Sequence, residues 1–296
     1  MTARVPWPEE LRSRPFTVAE ATAYGIGRRR ANGASIIRPH PRLRSLRAVT
    51  SPVEVFQALA RTLPEDVAFS HLSALRLWGL PWSVPWDAAE PVHIMHAASR
   101  RIRRQGIVAH PGLQRRATLT RYGVQLTAAA DTWADLANLP TATVPLLVIV
   151  GDAILWRRRC GQSTLRDIVT ARAGMPGVTL LREAADRLRS GSASPAETLT
   201  RLDFEAAGLP EPELNAQVGD LSGQWLATAD FVWRRPRVVA EYDGAHHGDP
   251  RQFQRDAARR RLIEEAGWAY VQITALTRAD RREYDAVLRQ LRQWLT

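Results

Sequence analysis

The sequence predicts an α+β chain of more than one domain, and three observations predict it. The chain has 296 residues with 45% hydrophobic content, enough for more than one packed core. Segments with helical spacing and cap signals alternate with short β-branched runs that end at Gly or Pro. A small-residue stretch, RSGSASP (residues 189–195), lies between two helical segments and marks the best boundary. The expected divisions are residues 1–50, 51–190 and 191–296.

In the first division, Thr17 precedes an apolar run with Glu20 three residues on, the capping-box spacing. That helix is expected to end near Gly25. GRRRANG follows as a short basic helix carrying Arg28, Arg29 and Arg30, and IIRPHPRLRS as an arginine-rich strand or wing. Helix, turn, basic helix and basic wing is the order of a winged helix-turn-helix, with these three arginines as candidate DNA contacts. A solvated basic surface has the same composition.

The middle is expected to be mixed α/β. DVAFSHLSALRLWGLPW and VQLTAAADTWADLANL each have helical spacing, as do VPLLVIVGDAILWRRRC and TLLREAADRLRSG. PVHIMHA and GIVAHPG have strand spacing. His71, His93, His96 and His110 show no close ligand-type spacing and are expected to be structural.

The last division opens on the clearest helix signal. Ser194 stands at the N-cap, Pro195 at the first helical position and Glu197 three residues after the cap. PELNAQVGD, WLATADFVW and RVVAEYDG are three expected strands. The latter two form a hairpin around Arg234, Arg235, Pro236 and Arg237, with Trp233 opposite Val238. That register sets Asp230 across from Glu241, on one face with Asp243. Three converging carboxylates repel and raise one another's pKa, and a hard cation such as Mg²⁺ (or Mn²⁺) relieves the conflict. Acids on an exposed face would instead pair with nearby arginines. An arginine-rich helix, a strand and an amphipathic helix complete the order αβββαβα. Arg255 and Arg259 on that arginine-rich helix are further candidate DNA contacts.

Composition narrows the partners. Net charge is +11 and all 41 basic residues are arginine, so an anionic partner, nucleic acid first, is expected. No lysine means no P-loop lysine, Schiff base or lysine general base. One cysteine, Cys160, excludes an internal disulfide and a cysteine-rich zinc site. No apolar run approaches the ~20 residues of a membrane span, and the N-terminus lacks signal-peptide order. A cytoplasmic protein without a membrane partner is expected.

The quoted acids also carry a resemblance. SPAE before GLPEPELN, then ADFVW, AEYDGAHH and RDAARRRLIEEAGWAYVQIT, cover the last third of the chain in order. This segment resembles the restriction-endonuclease-like domains related to the very-short-patch repair (Vsr) endonuclease, in the PD-(D/E)XK superfamily. Upstream, FTVAEATAYGI resembles the winged-helix N-terminus of AbiEi-type antitoxins, and FSHLSALRLWGLP follows it as in actinobacterial proteins of this arrangement.

The resemblance implies a Mg²⁺-dependent DNA endonuclease acting in repair or defence. Asp230 and Glu241 become the motif acids that hold the metal, with Glu197 in support. Asp243 and His247 match the E-x-D-G-x-x-H continuation, and Asp256 and Arg260 match polar positions on the next helix. The superfamily's usual lysine is replaced by Asp243. His247 then becomes the first candidate for positioning the attacking water, and Arg260 the candidate for stabilising charge in the transition state. A toxin partner and a homodimer are further implications. The alternative is an antitoxin-like transcriptional regulator that keeps an inactive nuclease fold.

Overall fold

Cap chemistry and strand propensity place the elements. The computed structural model describes residues 5–97, 102–244 and 250–296. In chain order come α1 (Glu9–Ser13), α2 (Val18–Ala23), α3 (Arg28–Ala31), α4 (Pro52–Ala60), β1 (Val67–Phe69), α5 (His71–Trp78), β2 (Val92–His96), β3 (Ile107–Pro111), β4 (Thr118–Arg121) and β5 (Val124–Thr127). Four helices follow: α6 (Ala129–Leu136), α7 (Val144–Trp156), α8 (Gln162–Ala171) and α9 (Val178–Asp186). The remainder is α10 (Pro195–Ala206), β6 (Glu213–Gly219), β7 (Trp225–Trp233), β8 (Val238–Asp243), α11 (Pro250–Glu265), β9 (Ala269–Thr274), α12 (Ala275–Ala279) and α13 (Arg281–Leu295). The protein is α+β, and no helix among the described residues is long and apolar enough to cross a membrane.

The chain divides into two compact units. Residues 1–147 with 163–182 form the first, and residues 148–162 with 183–296 form the second. The expected division 1–50 and residues 51–147 of the expected division 51–190 therefore fall within one unit.

In the first unit, Thr17 Oγ1 accepts from the Glu20 amide at 3.0 Å while Glu20 accepts from the Thr17 amide at 2.7 Å, which completes the capping box. The expected wing is two isolated antiparallel bridges, Phe16 with Arg44 and Ile37 with Ser45, rather than a continuous strand. A five-stranded sheet runs in the order β3-β2-β1-β5-β4, with β1–β5 and β2–β3 parallel. Two of the expected helices begin instead as strands, β1 before α5 and β5 before α6. Val67, Ala68 and Phe69 are all buried, as are Leu126 and Thr127. A short run that is apolar on both faces has the same hydrophobic signature whether strand or helix.

In the second unit, a four-stranded sheet runs β6-β7-β8-β9, with β8–β9 parallel and the other pairs antiparallel. Phe231, Trp233, Val238, Ala240, Val271 and Ile273 on one face pack with Phe204, Tyr284 and Leu291 from α10 and α13. Val232 and Val239 on the other face pack with Ile263 from α11. Buried Asp152 anchors α7 to this unit. Its Oδ2 accepts from Arg201 at 3.0 Å and from the Thr198 hydroxyl at 3.1 Å, and its Oδ1 accepts from the Arg189 amide at 2.8 Å.

Candidate functional site

The site begins with the β7–β8 hairpin. Trp233 pairs with Val238, Val232 with Val239 and Phe231 with Ala240, the register expected from the sequence. One step further, Asp230 stands across from Glu241. There the backbone ladder gives way to a side chain, and the Tyr242 amide donates to Asp230 Oδ2 at 2.8 Å. The β6–β7 ladder is interrupted at the same level. It pairs Leu214 with Phe231 and Ala216 with Ala229, while Asn215 between them takes φ +45. Asparagine tolerates this left-handed conformation better than most residues. Its amide then donates to Glu197 Oε2 at 2.7 Å.

Asp230, Glu241, Tyr242, Asp243, Gly244, Asp256, Arg259, Tyr270 and Gln272 line a pocket of about 200 Å³ on the α11 face of the sheet. Glu241 is 6% exposed. Its Oε2 accepts from Arg259 Nη2 at 2.8 Å and from the Tyr270 hydroxyl at 2.6 Å, whereas the buried Oε1 has no partner among the described residues. Burial raises its pKa, with Asp256 and Asp243 adding to the shift against Tyr270 and Arg259. Asp230 is pushed up to about 7. Burial is the largest cause, and the charges of Glu197 and Glu241 add to it.

The structure sorts the remaining candidates. Glu197 is buried, and its Oε2 accepts from the Ala193 amide at 2.8 Å as well as from Asn215. It therefore braces the start of α10 while its charge reaches Asp230. Glu197, Asp230 and Glu241 do not form a set of three ligand atoms within 4.8 Å of one another. Asp243 is exposed and accepts from Gln272 at 2.7 Å. Asp256 is 4.0 Å from Arg259. His247 lies outside the described residues.

The two neighbouring arginines of α11 have different partners. Arg259, expected on the DNA, is paired with Glu241 inside the pocket. Arg260, expected at the reacting phosphate, donates to Glu264 at 2.9 Å and lies over the Tyr270 ring at 5.0 Å. One residue along a helix is a rotation of about 100°, so only Arg259 faces the acids. Arg255 is exposed. On α3, Arg28 and Arg29 are exposed, but Arg30 donates to the Val5 carbonyl and sits 4.7 Å over the Trp7 ring. It is thus tied to the N-terminal segment.

A second constellation went unseen in the sequence. His71, His93 and His110 bring three ring nitrogens within 4.8 Å of one another, the only such group of potential metal ligands among the described residues. The order of α5, β2 and β3 carried no signal, because the convergence depends on parallel pairing of β2 with β3.

Fold and pocket together define the class: an α+β chain whose second unit carries an acid-lined pocket on a four-stranded mixed sheet. Two uncharacterized proteins of Mycobacterium tuberculosis, from strains CDC 1551 / Oshkosh and ATCC 25618 / H37Rv, are each 28% identical to this chain over 183 residues. The match covers 62% of this chain and 66% of each relative, just under two thirds of their length. No family model matches the sequence, and no solved structure matches it.

Proposed function

We propose that the second unit is a divalent-metal-dependent endonuclease that hydrolyses phosphodiester bonds in DNA. The observation that carries this reading is Glu241. A buried carboxylate oxygen without a partner is costly, and here it sits in a pocket shared with a second carboxylate, Asp230. The donors are oxygens, which suit Mg²⁺ or Mn²⁺. A bound ion would polarise the phosphate and lower the pKa of an attacking water. Asp230 and Glu241 would hold it. Arg259 would stay beside Glu241, close enough to share a phosphate oxygen, and Tyr270 would fix the carboxylate's orientation. Glu197 would act through Asn215 and the β6–β7 interruption, as a positioning residue for Asp230.

On this reading α2, α3 and the bridges after them act as a winged-helix DNA contact, with Arg28 and Arg29 on phosphates. The test is nicking of supercoiled plasmid with Mg²⁺ by wild type, Asp230→Ala and Glu241→Ala. Metal-dependent nicking by wild type alone is expected, and equal activity in all three overturns the assignment.

One observation favours the second reading, a DNA-binding regulator without cleavage. Glu241 Oε2 is already held by Arg259 and Tyr270, as in a site closed by internal ion pairing. That reading expects duplex binding that depends on Arg28 and Arg29, and no cleavage with any divalent ion.

A further inference from the structure

We propose that His71, His93 and His110 form a second metal site, in the first unit, for a transition metal of the Zn²⁺ class. The geometry is built from three elements. His93 on β2 and His110 on β3 share one face of the sheet, because His110 pairs with Met95, two residues along β2 from His93. His71, the first residue of α5, joins them. The three candidate ligand atoms lie within 4.8 Å of one another. Three nitrogens at ~2.0–2.1 Å from a tetrahedral ion are about 3.3 Å apart, so a small contraction suffices.

The surroundings suit an imidazole site. His71 and His93 are buried and His110 is half-buried. All three are held below the ordinary imidazole pKa, first by burial. Burial thus favours the neutral imidazole, the form that binds metal. His71 Nδ1 is 3.0 Å from Ser70 Oγ, a support that leaves Nε2 for an ion, as outer partners of metal-bound histidines do. Its backbone is held at φ +47, a left-handed conformation of the kind that concentrates at functional positions.

Nearby charge does not forbid a cation. Arg116 and Arg172, whose field reaches His71, are each paired with Asp131 and Asp135.

Without metal, His93 Nδ1 and His110 Nε2 share a hydrogen bond at 3.0 Å, and the His71 and His110 rings stack at 3.7 Å. Metal binding replaces that hydrogen bond and fans the stacked rings apart. Three protein ligands leave a fourth position for water or an anion, the arrangement of an open site.

The experiment titrates the EDTA-treated full chain with Co²⁺, then displaces it with Zn²⁺. With excess Mg²⁺ present to occupy the acidic pocket of the second unit, wild type is expected to take up one equivalent with visible d–d absorption. Proton NMR of the Co²⁺ form is expected to show three shifted, exchangeable imidazole N–H signals. His93→Gln and His110→Gln should each lower affinity at least tenfold while keeping the wild-type circular dichroism. No Co²⁺ uptake by wild type, fewer than three imidazole signals, or undiminished uptake by both histidine variants overturns the proposal. If a variant does not fold, the count of imidazole signals in wild type still decides.

Discussion

Arg259 Nη2 lies 2.8 Å from Glu241 Oε2, while its neighbour Arg260 spends its guanidinium on Glu264 and the Tyr270 ring. The two residues are adjacent in sequence and opposite in consequence. If the pocket cleaves DNA, Arg259→Ala should lower Mg²⁺-dependent nicking by at least tenfold, because it removes the cation nearest the buried acid. Arg260→Ala should change the rate less than threefold. Plasmid nicking rates for the two variants, side by side, decide the matter; a larger loss in Arg260→Ala overturns this division of roles.

Asp230 makes a prediction about stability. Its folded pKa is near 7, against an ordinary value of 3.8. An acid whose folded pKa is raised leaves its full stability in place below pH ~4 and removes stability as pH climbs through 7. Metal-free wild type should therefore lose stability between pH 5 and 8. Asp230→Asn should flatten that loss and be more stable at pH 8 by about 1–2 kcal/mol, a value reduced for the group's partial exposure. Urea midpoints at the two pH values test it. An Asp230→Asn variant as pH-sensitive as wild type counts against the raised pKa.

Asp152 and Arg201 are a buried pair whose removal should be felt globally. Their side chains are 0% and 3% exposed. Asp152→Ala removes the carboxylate that accepts from the Arg201 guanidinium, the Thr198 hydroxyl and the Arg189 amide, and leaves Arg201 Nη2 with the Arg187 carbonyl. Breaking such a pair costs about 3–5 kcal/mol, readable as a lowered denaturation midpoint. A loss under about 1 kcal/mol would show that the pair is dispensable.

If the first unit binds DNA as proposed, Arg28 and Arg29 bear on that binding alone. Each phosphate contact adds about 0.9 to the slope of log affinity against log salt for duplex DNA. Arg28→Ala and Arg29→Ala should each reduce that slope by about one. Arg30→Ala should instead lower stability, because Arg30 holds the Val5 carbonyl and the Trp7 ring. Fluorescence anisotropy over a salt series separates the two effects.

How much of this was legible depended on the range of the contact. The β7–β8 hairpin was readable because its turn, Arg234–Arg237, is flanked by apolar runs, and antiparallel register across a short turn follows from counting. The facing of Asp230 and Glu241 came with it. The place of Tyr270 in the site was not readable. It depends on β9 pairing in parallel with β8 across α11, and nothing local fixes that register. The histidine trio was hidden for the same reason, since β2 and β3 also pair in parallel. The α5 and α6 segments were read one element too long because Val67–Phe69 and Leu126–Thr127 are buried on both faces.

The hydrogen bond from the Tyr242 amide to Asp230 has a consequence for how the pocket responds to being filled. The carboxylate that would offer charge to a cation under the proposed function also takes the place of a backbone carbonyl in the sheet. Drawing Asp230 toward a ligand loosens its hold on the Tyr242 amide, just before Asp243 and Gly244. Under the proposed function, occupancy of the pocket and order at the end of β8 would thereby be coupled. Amide hydrogen exchange at Tyr242 would serve as a built-in gauge of whether the acids are engaged.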